Sequence, residues 1–422
     1  MQDDFQWYVG IDWAAEKYDV CVLDAGGKTI AKRVVPHSGV GIAGLLDWLQ
    51  RLAGGTPEAV AVAIETPRGA VVEGLVERKF AVFAINPKQL DRFRDRYTAA
   101  GAKDDSRDAL VLGDSVRTDQ ACFHRVRLDN AQQFRLRELS RIEEELQVQE
   151  NRLSNQLWEQ LHRYYPQMLA LSPGADEAWL WDLLEMAPHP IEAGKLKLVE
   201  VEGLLRRYRI RRLSAEQVLE IVREPALRLA PGAAEAASEH VLLLLPLLRS
   251  LHQQRSQVGK RIQRMLEEMS ADGGKEETTT KHSDAAILLS LPGVGQCVGA
   301  TMLAEASQPL AERDYHALRC YGGSAPVTRQ SGKRKVVVMR QGCSERLRNA
   351  LYYWSFGSIQ TDDWARGYYA DLRARGHTHG GALRVLGDRW LAVLIAMLKT
   401  GTLYDSKRKA AVQAKASVVS NK

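Results

Sequence analysis

Four carboxylates, Asp12, Glu65, Asp105 and Asp108, are the residues whose type and placement could do chemistry together. Asp12 ends the apolar run Tyr8-Val9-Gly10-Ile11, and Glu65 ends the run Ala61-Val62-Ala63-Ile64. A charge at the end of an apolar strand is costly unless something uses or compensates it. Asp105 and Asp108 lie three residues apart at the expected start of a helix, so they share one helical face. Four converging acids repel one another unless cations neutralise them. Mg²⁺ or Mn²⁺ suits that task, because a hard divalent ion takes carboxylate oxygens and keeps positions open for phosphate. Two such ions about 3.5 to 4 Å apart activate an attacking oxygen and stabilise a leaving one. The plainer alternatives are that Asp105 caps the helix and that Asp108 favours its dipole. Asp104 does not share the face of Asp108 and is assigned to the surface.

A second constellation lies near the other end. Leu291-Pro292-Gly293-Val294-Gly295 leads into Val298-Gly299-Ala300, a glycine turn between apolar helices. The pattern is that of a helix-hairpin-helix, in which Gly293 and Gly295 would let backbone N–H groups approach a phosphate. Further on, Ser331-Gly332 sits among Arg329, Lys333, Arg334 and Lys335, with Arg340, Arg346 and Arg348 extending the basic surface. A glycine turn exposes such a hydroxyl, and the cations suit a phosphodiester. On the residues alone, a solvated nucleic-acid contact is the ordinary reading and a nucleophile the alternative. Tyr321, Tyr352 and Tyr353 lack the Arg and His framework of tyrosine recombinases and are expected to pack. His377 and His379 are expected in a loop.

Placing the four acids together requires a particular set of elements. Short Val- and Ile-rich runs predict strands over Trp7–Asp12, Tyr18–Leu23, Thr29–Val35, Ala59–Glu65 and Ala81–Ile85. Gly26-Gly27 makes a hairpin turn, and Gly39–Ala53 carries helical spacing. Three antiparallel strands followed by an α/β half is the ribonuclease-H-like order. Helices are expected over Pro87–Tyr97 and Asp105 to about Asp119. From Phe134 to Leu161 the apolar residues Leu139, Ile142, Leu146, Leu153 and Leu157 fall on a three-four spacing, read as a coiled coil or a bundle helix. The fold class is therefore α/β plus all-α: a ribonuclease-H-like domain over 1–125, a helical coiled-coil region over 126–272, a mostly helical domain over 284–404 and a basic tail over 405–422. No chemistry is legible between Ser172 and Gly274.

A chain of 422 residues with 45% hydrophobic content buries a large core, and a net charge of +6 favours an anionic partner over an acidic small substrate. Its five cysteines show no C-x-x-C spacing, which argues against a zinc site or a disulfide framework and fits a reducing cytoplasm. No apolar run approaches the roughly 18 residues a membrane span needs, and none reads as a signal peptide.

Taken in order, these residues resemble the DEDD transposases of bacterial insertion sequences, relatives of the Piv invertase and described as bridge-RNA-guided recombinases. The resemblance rests on Tyr8–Asp12 followed by Ala15-Glu16-Lys17, on Ile64-Glu65, Ile85-Asn86-Pro87 and Lys103–Ala109, and on Leu289–Ala300, Tyr321-Gly322-Gly323, Gln330-Ser331-Gly332 and Arg346-Leu347-Arg348. It implies that the four acids bind Mg²⁺ in a RuvC-like domain and that Ser331 is a nucleophile forming a transient phosphoserine link to DNA. It implies a homo-oligomer, dimer or tetramer, in a bacterial cytoplasm, acting on donor and target duplex DNA selected by a noncoding RNA. Three features depart from the pattern: Thr66-Pro67-Arg68-Gly69 after Glu65, a loop after Ser331 unusually rich in Lys and Arg, and a middle from Tyr165 to about Val241 that is longer than expected. The competing functions are a RuvC-like hydrolytic nuclease in which Ser331 only binds, a nucleic-acid-binding protein with a dead site, and, least supported, an actin-like sugar kinase.

Overall fold

The computed structural model describes residues 4–96, 105–126, 130–271, 282–332 and 334–406. The chain divides into two compact units, Met1–Asn130 and Ala131–Lys422.

The first unit runs β1 (Trp7–Trp13), β2 (Lys17–Asp24), β3 (Thr29–Pro36), α1 (Gly39–Leu52), β4 (Val60–Ile64), α2 (Ala70–Glu77), β5 (Ala81–Ala84), α3 (Pro87–Arg94), α4 (Asp105–Asp119) and the two-residue β6 (His124–Arg125). The sheet order is β3-β2-β1-β4-β5-β6. β1 pairs antiparallel with β2 and parallel with β4, β4 is parallel to β5, and β6 closes the edge antiparallel to β5. The expected strand order is therefore present, and α3 stops at Arg94, short of the expected Tyr97. Gly27, at φ +87, makes the β2–β3 turn that two adjacent glycines predict. Because strand side chains alternate, the sheet has two covered faces. Val9, Ile11, Val20, Val22, Val62 and Ile64 pack with Leu45, Leu49 and Leu75 on one side. Tyr8, Cys21, Leu23, Ala61, Ala63 and Phe83 pack with Leu90, Val111 and Leu112 of α3 and α4 on the other.

Among its described residues the second unit is helical apart from one hairpin. It runs α5 (Ala131–Tyr164), α6 (Gln167–Leu171), α7 (Ala178–Met186), α8 (Leu198–Arg207), α9 (Ala215–Val222), α10 (Ala233–Ala271), α11 (Asp284–Leu289), α12 (Gln296–Glu305), α13 (Ser307–Ala311), α14 (Tyr315–Tyr321), β7 (Val327–Ser331), β8 (Arg334–Val338), α15 (Glu345–Thr361), α16 (Asp363–Ala374) and α17 (His379–Thr400). The hairpin β7–β8 has no counterpart in the sequence reading. α5 and α10 run antiparallel, since Arg255 bonds Glu143 at 2.9 Å and Glu150 at 3.0 Å while His252, one turn earlier, also meets Glu150. Leu139, Leu146, Leu153 and Leu157 thus find partners within the chain, as a bundle helix requires, whereas Ile142 stays 43% exposed. Two cores result. One joins Leu157, Trp179, Trp181, Val201, Val218 and Leu245. The other joins Leu136 and Ile262 with Leu288, Leu303, Trp354 and Trp390, so it reaches across the boundary expected between 272 and 284.

Candidate active site

Sheet register assembles the acidic face. Ile11 lies beside Ile64 in the parallel β1–β4 pair, so the next residues along, Asp12 and Glu65, come side by side where the two strands end. Alternation points both to the face that α4 covers. On that face Gly10 meets α4 so closely that a Cβ there would stand 1.8 Å from the Ala109 carbonyl oxygen and 2.5 Å from the Gly113 nitrogen. Two glycines thereby let the helix backbone lie directly on β1, which brings Asp108, only 1% exposed, down onto the sheet. Asp12 and Glu65 are half-buried. Asp105 begins α4, and its side chain lies outside the described residues, as do Lys103 and Asp104.

Two charged residues of this face escape the sequence reading. Asp19 stands directly opposite Asp12 in the antiparallel β1–β2 pair, buried, with Lys17 at 2.8 Å. Arg94, the last residue of α3, donates from Nε and NH2 to the two oxygens of Asp108, both at 2.7 Å, and from NH1 to Asp91 at 2.5 Å. Burial alone would push the Arg94 guanidinium down, but hydrogen bonds and charge from Asp108, then Asp91 and Glu65, raise it above its ordinary value. Arg94 is therefore a fixed positive charge among the acids. No group of three or more metal-ligating side chains gathers among the described residues. As arranged, with both Asp108 oxygens satisfied by a guanidinium, these residues do not fit a divalent ion.

Ser331 ends β7, and its Cα partner across the hairpin is Arg334. Gly332 follows at φ +55 with open space around it, and Lys333 lies outside the described residues. Ser331, Arg329, Arg334 and Lys335 are all exposed. Among the described residues no hydrogen-bond partner holds the Ser331 hydroxyl.

The wider basic surface needs correction. Arg346 faces inward, with NH2 donating to Ser140 at 2.9 Å, NH1 bonded to Glu144 and Nε 3.1 Å from Glu305. Burial, then the charge of Arg141, pushes its guanidinium below the ordinary value. Arg348 donates to the Cys343 sulfur at 2.6 Å and to the Arg340 and Gln341 carbonyls, each at 3.2 Å. Both hold the second unit together and are not displayed to a phosphate. Arg340 is half-buried, and its Nε has no hydrogen-bond partner among the described residues.

The glycine turn also has a packing explanation. Gly293, at φ +80, sits so near α15 that a Cβ would stand 2.3 Å from the Ser358 nitrogen. The close approach that this glycine permits is to another helix. Gly295 caps α12 with nothing within 4 Å of its ideal Cβ position, so its backbone is the open part of the turn. Tyr321 packs against the core, and His379 is held by Tyr369 at 2.7 Å and Tyr352 at 3.3 Å.

The first unit carries carboxylates on its sheet and the second a basic hairpin, and comparison with known proteins gives the class. Residues 9–166 match the DEDD transposase family of IS110, and residues 285–370 match the transposase IS116/IS110/IS902 family. The chain is 32% identical over 415 residues to a mini-circle putative transposase for IS117 of Streptomyces coelicolor, covering 96% of this chain and 97% of that one. It is 44% identical over 236 residues to the putative transposase y4uE of Sinorhizobium fredii, a match spanning 56% of this chain and 64% of that protein. An uncharacterized 43.6 kDa protein of the IS110 insertion element, also from S. coelicolor, is 26% identical over 419 residues, covering 97% of this chain and 98% of that one.

The chain belongs to the IS116/IS110/IS902 family of transposases. Residues 167–284, between the two matches, contain most of the enlarged middle.

Proposed function

We propose that the protein moves an insertion sequence by cutting and rejoining DNA strands, with the acidic face of the first unit and Ser331 of the second as its two reactive parts. The observation that supports this reading is that Asp12 and Glu65, at the ends of two adjacent parallel strands, lie on the side of the sheet covered by α4, which carries the buried Asp108. Carboxylates on one partly buried face are costly unless something uses or compensates them. A DEDD family implies a divalent metal, but the described side chains, with Asp108 engaged by Arg94, are not arranged to hold one. No step is assigned to it.

In this reading the Ser331 oxygen attacks a backbone phosphorus. The new P–O bond to serine forms as the P–O bond to one strand end breaks, and the serine proton leaves while the departing DNA oxygen gains one. The phosphoserine conserves the phosphodiester's energy, so attack by another DNA hydroxyl restores serine and joins new ends, which hydrolysis would not permit. Exposed Arg329, Arg334 and Lys335 support the phosphate-binding part of this role. Donor and target duplexes are the substrates, a noncoding RNA of the element selects them, and a homo-oligomer supplies acids and serine from different protomers.

The second reading is a RuvC-like hydrolytic nuclease in which Ser331 only contacts DNA. It is favoured by one observation: no described residue holds the serine hydroxyl as a general base would. Incubating the protein with element-end DNA, Mg²⁺ and the element's flanking RNA separates the two on a denaturing gel. A protease-sensitive DNA–protein adduct, lost in Ser331→Ala, establishes serine chemistry. Metal-dependent cleavage unchanged in Ser331→Ala establishes hydrolysis instead.

A further inference from the structure

The end of α8 and the turn that follows it, in the enlarged middle that the sequence left without a role, carry five arginines within seven residues: Arg206, Arg207, Arg209, Arg211 and Arg212. Two of them and the tyrosine between hold the turn down. The Tyr208 hydroxyl donates to Asp182 at 2.7 Å, Arg207 reaches the same oxygen at 3.5 Å, and Arg249 of α10 takes the other at 2.8 Å. Arg212 donates to Glu177 at 2.8 and 2.5 Å and to the Leu171 carbonyl at 3.0 Å, with its guanidinium 5.7 Å from the centre of the Trp179 ring. The backbone closes on itself, Ile210 N–H donating to the Leu205 carbonyl at 2.9 Å.

The other three arginines, Arg206, Arg209 and Arg211, are exposed, and among the described residues none has an ion pair or a side-chain hydrogen bond. The acids beneath the turn, Asp182 and Glu177, are already engaged. Arg209 also sits at φ +55, a left-handed conformation that favours glycine. Arg313 adopts the same φ, but its guanidinium bonds Asp284 at 2.6 and 2.7 Å. Arg209 has no such internal use for its charge.

We propose that this turn docks the phosphodiester backbone of nucleic acid, gripping it through Arg206, Arg209 and Arg211 without reading sequence. Guanidinium forks match phosphate oxygens in pairs, and a turn pinned at Tyr208 and Arg212 presents them with little freedom to lose on binding. The proposal rests on the reading of the protein as one that acts on DNA. Duplex DNA and guide RNA offer the same backbone, and separate probes distinguish them.

The experiment measures fluorescence anisotropy of the full chain with a labelled duplex of unrelated sequence and, separately, a labelled single-stranded RNA, over a series of salt concentrations. The triple variant Arg206→Gln, Arg209→Gln, Arg211→Gln is expected to bind about tenfold more weakly near 150 mM salt, with the slope of log K against log salt reduced by about 2 to 3. Replacing all three by Lys should keep the slope. Arg209→Gly is expected to bind more weakly while melting no lower than the parent, because it relieves the backbone. Loss confined to one probe assigns the turn to that nucleic acid. A triple variant identical to the parent on both probes overturns the proposal and leaves the transposase reading intact. A parent chain that binds neither probe overturns both.

Discussion

The two places where chemistry was expected are opposites in construction. The acidic face is built from inside the fold: strand register, a glycine contact and a buried aspartate fix it, and its charges are already matched by Arg94 and Lys17. The serine hairpin is two short exposed strands whose Ser331 hydroxyl meets nothing among the described residues. A preorganised site must be released before it accepts a ligand, whereas an open one must be completed by its ligand or by a partner. The two places thus differ in what they lack: the acidic face already has charge partners, and the hairpin hydroxyl has none among the described residues.

The comparison breaks first at the acids. Asp12→Asn or Glu65→Gln should lower strand cleavage at least about a hundredfold, the scale on which positioned acid–base and electrostatic groups act. Gel quantification at saturating DNA reads this, and near-normal rates would mean that the face is structural. Next is the charge match. Arg94→Ala leaves Asp108 buried and unpaired, and should cost about 3 kcal/mol in a denaturant melt. Asp108→Asn added to it should recover much of that loss, which a double-mutant cycle measures. If added Mg²⁺ raises the melting temperature of Arg94→Ala more than that of the parent, the arginine occupies the place of a cation. The smallest effect belongs to the hairpin tip. Gly332→Ala, at φ +55 in open space, should cost only about 1 kcal/mol, read as a slightly lower melting temperature.

What was legible follows from how far each signal reaches along the chain. The five expected strands announce themselves as apolar runs bounded by turn residues, and Asp12 and Glu65 stand out because each interrupts such a run. Arg94 was invisible, since a charged residue on a short helix looks solvated until the fold sets α3 against α4. Asp19 was hidden by register, because only pairing places it opposite Asp12. Arg346 misled for the same reason: its partner Glu144 lies 202 positions away, so a cluster of cations read as a surface when one was committed inward. The hairpin escaped notice because both strands are largely exposed and lack the alternation a half-buried strand shows.

The antiparallel pairing of α5 with α10 has a consequence for how this chain can vary. Leu136 near the start of one helix and Ile262 toward the end of the other lie in the same core, so the chain leaves that core and returns to it along a two-helix stalk. Everything beyond the stalk's far end, from Pro166 to Gly232, begins and finishes at neighbouring points and packs into a core that it shares with the outer ends of both stalk helices, through Leu157, Leu161, Val241 and Leu245. Such a segment can be lengthened or exchanged without rethreading what lies at the base, provided that the buried stalk residues keep a cover. Relatives of different length can accommodate their difference there, and an engineer wanting a smaller or retargeted enzyme would begin at the same place.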